Sequence, residues 1–580
     1  MKIVNATING FQVSVPEGTT ILDAARKINV KIPTLCYLDL HDIKMVNRTA
    51  SCRVCLVEIE GRRNLAPACA TEVFEGMIIK TDTLRTIKAR RTMVELLLSD
   101  HPTDCLVCEK NTQCQLQLIA AELGIRKIKY KGHMSNYKKD SSSGALYRNL
   151  DKCIMCRRCE TMCNEVQTCN ILSAVDRGFE TVVSPAFGWP MLETMCTFCG
   201  QCVAVCPTAA LTQVSNVAKV WDILADPDRY VVVQTAPAIR AALGEKFDME
   251  PGTIVTGKMV AALKRLGFRK VFDTDFAADV TVVEEAHEFI DRLQNGGRLP
   301  ILTSCCPSWV KFIEHQFPSL VDVPSTCKSP HIMFGAIAKT YLAEKMGIDP
   351  SKIVVVSVMP CIAKKYEINR PELEHDGQKN VDLVITTREL TDMINEAGLD
   401  FSNLPEEDFD HPLGESTGAS VIFGTTGGVI EATLRTAYEW LTKEPLEKVE
   451  FHDVRGLKGL KEAVIKINGE EIRIGVAHGL GNARALLESI ESGKSKYHAI
   501  EIMACPGGCI DGGGQPYHFG NIEIVKKRME ALYNEDRNKK VRKSHENPAV
   551  IKLYEEYLGE IGGDKAHHLL HTHYTPRKRI

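Results

Sequence analysis

At 580 residues the chain is too long for one hydrophobic core, and its length implies roughly three to five domains. A charged fraction of 25% and a formal net charge of -3 exclude any global pull toward nucleic acid or anionic membrane. Partners must therefore be argued from individual sites.

The amino terminus, MKIVNATINGFQVSV, alternates apolar and polar residues with a strand period and lacks the apolar core of a signal peptide. No apolar run approaches the ~18 residues of a membrane helix. The expectation is a soluble cytoplasmic protein with no membrane insertion. Asn9-Gly10 predicts a tight hairpin, and Thr20 with Asp23 predicts a capped helix, so residues 1–78 read as a small sheet packed on a helix. Residues 79–125 carry the helical run LRTIKARRTMVELLLS and then HPTDCLVCEKNTQC, which has no apolar period and must be held by something else. Residues 129–145 read as a linker or surface loop. Residues 140–215 contain a duplicated cysteine spacing. From 220 to 580, strands such as RYVVVQTAPA, KIVVVSVMPC and VDLVITT alternate with helices such as GKMVAALKRLGF, ending in a charged, histidine-rich helical segment.

The chain has 22 cysteines. In a reducing compartment they read as metal ligands and not as a disulfide framework. Cys153, Cys156, Cys159 and Cys163 repeat the spacing of Cys196, Cys199, Cys202 and Cys206-Pro207, the rhythm of a two-cluster ferredoxin. In that pattern the fourth cysteine of each run crosses over. One [4Fe-4S] cube then takes Cys153, Cys156, Cys159 and Cys206, and the other Cys196, Cys199, Cys202 and Cys163. Asn164 stands where the first run would carry its proline. Cys36, Cys52, Cys55 and Cys69 resemble a plant-type [2Fe-2S] layout with a lengthened first loop. His101, Cys105, Cys108 and Cys114 suit either a zinc site or a cube with one histidine ligand. Their place between two iron-sulfur modules favours a third accessory [4Fe-4S]. Zinc is the bland alternative for each set. Four clusters in a row imply that electrons enter at one place and leave at another.

In the second half, Cys306, Cys361, Cys505 and Cys509 sit at strand ends or in a glycine-rich bend, where α/β folds build active sites. The glycines at 507, 508 and 512–514 are expected to turn backbone amides toward an anionic cluster. The segments TSCCP, MPCIAKK and MACPGGCIDGGGQP resemble the three signatures of the iron-only, or [FeFe], hydrogenases, and the likeness extends along essentially the whole chain.

That resemblance implies a multidomain α/β and α+β protein: an N-terminal β-grasp [2Fe-2S] domain, a His/Cys cluster segment, a two-cluster ferredoxin-like domain and a C-terminal H-cluster domain. It implies reversible hydrogen oxidation and proton reduction at an H-cluster, a [4Fe-4S] cube joined to a two-iron subcluster with CO, cyanide and azadithiolate. Cys306, Cys361, Cys505 and Cys509 are the implied cube ligands, with Cys509 also bridging to the subcluster. The implied proton relay runs through Cys305, Glu285, Ser325, Glu288 and Arg292. Lys364 is implied as a cyanide donor, and Met359, Met503, Pro237 and Phe423 as pocket wall. Ala238 and His331 depart from the hydroxyl or amide side chains frequent in relatives. Cys169 and Cys327 read as buried thiols, the latter beside the relay.

Weaker signals read blandly. His478-Gly-Leu-Gly481 is a strand-to-helix turn, and His567, His568, His571 and His573 form a polar terminal segment. The implied partners are H2 and protons as substrates, ferredoxin or NADH-dehydrogenase-like flavin and iron-sulfur subunits, and maturation enzymes. The rival readings are an electron-wire subunit of an NADH-dehydrogenase-like complex, which leaves the later cysteines without a task, and a non-catalytic hydrogen sensor or iron-sulfur assembly factor.

Overall fold

The computed structural model describes residues 2–40, 45–47 and 50–578. The amino-terminal alternation becomes a five-stranded mixed sheet in the order Phe11–Pro16, Ile3–Ile8, Met77–Lys80, Leu56–Ile59 and Ala66–Pro67. Asn9 and Gly10 both take positive φ, 48° and 86°, as the twisted hairpin demands. The Thr20 side chain accepts from the Asp23 amide at 3.2 Å and caps helix Ile21–Lys27, whose Ile21, Leu22, Ala24 and Ala25 are buried against the sheet. This is the expected β-grasp arrangement.

Helix Leu84–Ser99 coincides with the predicted run and leads through the short turn Cys105–Val107 to helix Gln115–Glu122. The stretch 129–145 is a surface loop only in its first part. Asp140, Ser143 and Ala145 are buried, and Asp140 supplies the counter-charge that buried Arg148 needs: its carboxylate lies 3.5 Å from the guanidinium. That carboxylate also accepts from the Met191 amide at 2.7 Å.

The second half holds two four-stranded sheets. The first is wholly parallel, in the order Lys270–Asp273, Tyr230–Thr235, Ile353–Met359, Leu383–Thr386. Covered on both faces, its central strands are continuous valine-rich runs and not alternating ones. The second sheet has the order Ile301–Leu302, Ala499–Met503, Glu470–His478, Leu460–Ile467, parallel except for its last pair. Helix Thr274–Asn295 packs against helices Pro330–Ile337 and Gly428–Thr442.

Helix Ile522–Asn538 is pinned by a buried ion network. Asp536 receives Arg435 at 2.8 Å and Arg542 at 2.7 Å, while Arg435 also pairs with Glu431 at 2.7 Å. The chain then returns through helix Asp564–Leu570 to lie beside Cys327 and Lys328, with the Lys328 amide donating to the Leu570 carbonyl at 2.8 Å. No helix among the described residues is long and apolar enough to cross a membrane.

Candidate active site and metal centres

Both sheets send the carboxyl ends of parallel strands to one place. Thr303 follows strand Ile301–Leu302 and leads to Cys305 and Cys306; Cys361 lies just beyond strand Ile353–Met359 and Cys505 just beyond Ala499–Met503. Strand ends are free of ladder hydrogen bonds and can aim side chains into the crevice. Cys305, Cys361, Cys509 and Lys364 line a cavity of about 70 Å3. Pro237, Met359, Phe423 and His331 complete much of its wall. Met503 packs with Cys305, Cys509 and Phe423 just behind it.

Cys306, Cys361, Cys505 and Cys509 crowd together. Burial and then the neighbouring thiols push Cys361 up to about 12 and Cys505 well above the ordinary range. Backbone amides after Cys306 and Cys361, where helices Pro307–Gln316 and Ala363–Glu367 begin, oppose that rise. Among the described residues no disulfide consumes these thiols. Four convergent sulfurs that resist ionising alone, beside a cavity, are a donor set suited to an iron-sulfur cube.

The glycine expectation needs correction. The amides of Gly508 and Gly512 donate to the Cys505 and Cys509 carbonyls at 3.0 Å, that of Gly514 to Pro360 at 2.8 Å, and that of Gly507 to His478 Nδ1 at 3.1 Å. Two of these bonds close turns within the loop and two tie it to Pro360 and His478. Glycine at 513 serves close approach instead, since a Cβ there would stand 2.7 Å from the Gly200 Cα.

Lys364 is held at the cavity by the Cys305 carbonyl at 3.0 Å and by Glu367 at 2.8 Å. Burial opposes both charges, but the pairing wins: Lys364 is raised and Glu367 lowered to about 2. Glu367 also meets His331 Nε2 at 2.7 Å, and burial holds that imidazole neutral, down to about 4. Glu367 was missed in the sequence. Its signal is the i,i+3 spacing from Lys364 on one short helix.

Glu285, Glu288 and Arg292 share one face of helix Thr274–Asn295. Burial, then the Glu288 charge, raises Glu285 to about 8, while Ser325 and Thr433 flank its carboxyl. Burial, then the Cys509 and Cys306 thiols and Glu285, raises Cys305 well above the ordinary range. Ser325 Oγ donates to Glu288 Oε2 at 2.9 Å, and Arg292 pairs with Glu288 near the surface while donating to the Val323 carbonyl at 2.8 Å. Cys327 is buried, with its amide on Ser325 Oγ at 3.2 Å.

Three of the four accessory sets converge, and in the fourth Cys108 lies near Cys114. Cys153, Cys156, Cys159 and Cys206 line one cavity, and Cys163, Cys196, Cys199 and Cys202 another, whose wall also includes buried Cys169. The fourth cysteine of each run thus stands with the other run. Cys55 and Cys69 sulfurs lie 3.4 Å apart, with Cys36 and Cys52 against them. His101 Nδ1 is buried without a hydrogen-bond partner, an orphan suited to a metal ligand, and Lys152 stands close to His101 and 3.4 Å from Cys108 Sγ.

These sets form a fork and not a row. Asn47 Nδ2 donates to the Cys36 carbonyl at 2.7 Å and to the Cys156 carbonyl at 3.0 Å, joining the Cys36 set to the Cys153 set. Lys110 of the His101 segment donates to the Cys206 carbonyl. Both amino-terminal sets thus meet the Cys153 set. Beyond it, Gln167 Nε2 donates to the Ala504 carbonyl and Gln201 Nε2 to the Asp511 carbonyl, each at 2.9 Å, which seats the Cys196 set against the Cys505 loop.

The carboxyl-terminal histidines also need correction. His571 is buried, bonded to Glu284 at 3.0 Å and Thr326 at 2.7 Å, whereas its neighbours His567 and His568 are exposed as expected. His478 does form a strand-to-helix turn, between strand Glu470–His478 and helix Leu480–Glu491.

Comparison with known proteins agrees with this geometry. Residues 229–513 match the model of the iron only hydrogenase large subunit, C-terminal domain, and residues 522–577 that of the iron hydrogenase small subunit. Residues 2–84 match a 2Fe-2S iron-sulfur cluster binding domain, residues 90–129 the NADH-ubiquinone oxidoreductase-G iron-sulfur binding region, and residues 192–212 a 4Fe-4S binding domain. The chain is 60% identical to the NADP-reducing hydrogenase subunit HndD of Solidesulfovibrio fructosivorans over 100% of both chains. It is 39% identical to iron hydrogenase 1 of Clostridium pasteurianum, over 98% of this chain and 99% of that one. A solved [FeFe]-hydrogenase HydA1 from Chlamydomonas reinhardtii is 42% identical, with a TM-score of 0.57, over 62% of this chain and 99% of that one. The chain belongs to the iron-only hydrogenase family, and it is an enzyme of that class.

Proposed function

We propose that this chain interconverts H2 with protons and electrons at the cavity beside Cys305. The reading is carried by one observation: the convergence of Cys306, Cys361, Cys505 and Cys509 with Cys305 and Lys364 at the joined ends of two sheets. When bound, the H-cluster supplies the iron at which H2 is split or formed.

The chain's own residues hold and move the proton. Cys305 exchanges it at Sγ with Glu285, Ser325 relays it through its hydroxyl, and Glu288 passes it toward the surface, where Arg292 holds the Glu288 carboxylate in place. Because Glu285 is raised to about 8, it is an acid at neutral pH and is poised to deliver toward Cys305. Lys364, fixed by Glu367, presents positive charge to an anionic ligand of the cavity. Met359, Met503, Pro237 and Phe423 keep water out.

The Cys36 set would hold the [2Fe-2S] cluster, and the other three accessory sets a [4Fe-4S] each, with domains bounded near 78, 125 and 215. The relative's name specifies an NADP-reducing hydrogenase subunit. By extension, electrons leave this chain through the fork to a ferredoxin or a flavin-bearing partner subunit that meets a nicotinamide nucleotide. A cytoplasmic setting fits thiols with no disulfide among the described residues.

The test is hydrogen evolution from reduced viologen by anaerobically matured, iron-loaded protein. Rapid evolution is expected. Negligible evolution with every cluster assembled would overturn the catalytic reading in favour of a sensor or scaffold. Unaided reduction of NADP at the rate of an intact assembly would overturn the partner reading.

A further inference from the structure

The helix that carries the relay has a second, inward hydrogen-bonded branch. Thr326 donates to Glu288 Oε2 twice, from its amide at 3.0 Å and from its hydroxyl at 3.2 Å. The same hydroxyl lies 2.7 Å from His571 Nδ1, and His571 Nε2 lies 3.0 Å from Glu284 Oε2. Glu284 in turn accepts from the Tyr554 hydroxyl and from the Gly562 amide at 3.1 Å. Glu284 is 1% exposed, so the branch ends inside the protein and is no exit for protons.

We propose that His571 governs the hydrogen bonding of Glu288 through the Thr326 hydroxyl, as a titratable side branch of the proton route. The inference rests on the relay reading above. The groups facing the imidazole are Glu284 and Glu288 from helix Thr274–Asn295, Thr326 and Cys327 from the adjoining loop, and Tyr554 behind Glu284. The exposed ring of His567 stacks on it at 4.7 Å, and Lys328 turns away to the Leu569 carbonyl at 3.0 Å.

Two states follow from the donor count. A neutral imidazole keeps its proton on Nε2 toward Glu284, and Nδ1 then accepts the Thr326 hydroxyl, leaving Glu288 with the amide alone from this residue. When Nδ1 also gains a proton, the imidazolium donates at both nitrogens. The Thr326 oxygen then accepts, and its hydrogen turns to Glu288 Oε2. Thr326 keeps one hydrogen throughout; only its direction changes. The added donor steadies the Glu288 carboxylate when His571 is charged.

The test is the pH profile of hydrogen evolution by matured holoenzyme with reduced viologen. The wild-type profile should carry a bend that depends on His571 and on the Thr326 hydroxyl. His571→Gln and Thr326→Val should both lose that bend, and Thr326→Ser should keep it. With profiles normalised at high pH, His571→Gln should outpace wild type by roughly threefold to tenfold at the low-pH end, the scale of one hydrogen bond to a carboxylate. Superimposable normalised profiles would overturn the proposal. If His571→Gln loads no iron, the Thr326→Val and Thr326→Ser pair decides, since both leave His571 bonded to Glu284. Glu288→Gln separates the two readings. Slow turnover in that variant with superimposed profiles overturns the branch alone, whereas normal turnover removes the relay and the branch with it.

Discussion

On the proposed reading, two cysteines side by side at 305 and 306 divide the labour between holding a metal and moving a proton. Cys306 stands with the other crowded thiols and Cys305 faces the cavity, its carbonyl holding Lys364. Cys305→Ser should therefore keep its clusters, read by iron content and infrared bands, while hydrogen turnover falls by roughly 10²- to 10⁴-fold. Glu285 makes a pH prediction. Its folded value of about 8 exceeds the ~4.3 of an unfolded chain, so the native state binds the proton more tightly. Its contribution to stability is full below about 4.3 and is lost as pH rises through about 8. Glu285→Gln should flatten that decline in the apparent unfolding midpoint measured between those values; an unchanged slope would place the carboxyl in a wetter setting than the structure has.

At the scale of elements, the site depends on how closely two loops meet. Gly200 at φ 74° and Gly513 touch backbone to backbone, which brings the Cys199 loop against the Cys505 loop. A Cβ at 513 would meet the Gly200 Cα at 2.7 Å and its carbonyl carbon at 2.8 Å, with no flexible side chain to yield. Gly513→Ala should cost about 1 to 3 kcal/mol of stability by overpacking and slow dye-driven hydrogen evolution even where cluster loading is complete. Stopped-flow reoxidation of the accessory clusters under protons would show the lag directly. The long helix Thr274–Asn295 has a comparable double task. One of its faces carries Glu285, Glu288 and Arg292 and was legible as i, i+3 and i+7. Glu284, one residue away, points to His571 and Tyr554, and its role was hidden because both partners are about 270 to 290 residues distant.

Across the whole molecule, the carboxyl-terminal segment is locked to the catalytic half by the buried Arg435–Asp536 pair. Asp536, held down to about 2 by Arg435 and Arg542 against the cost of burial, is the acceptor on which this lock converges. Asp536→Ala should cost about 3 to 5 kcal/mol, because Arg435 would be left buried with one partner fewer. The loss should appear as early proteolytic cleavage after residue 520, followed by limited proteolysis and mass spectrometry. In wild type the lock's contribution is present above about pH 4 and declines as pH falls through about 2. The fork of accessory sets is likewise a property of the whole molecule, since Asn47 and Lys110 reach the Cys153 set from two different parts of the chain.

What the sequence determined was whatever local spacing dictates. The strand alternation, the Thr20 cap, the valine-rich buried strands and the paired cysteine runs all follow from periods of a few residues, and each appears in the structure where those periods put it. Only the tertiary structure decided what faces what. Gly513 of the Cys505 loop serves backbone contact with Gly200, Glu367 anchors Lys364 and His331 together, and His571 leaves an otherwise polar tail to join a buried network. These depend on the free energy of bringing distant segments together, through burial of apolar surface and satisfaction of buried polar groups, and no short-range pattern encodes those partners.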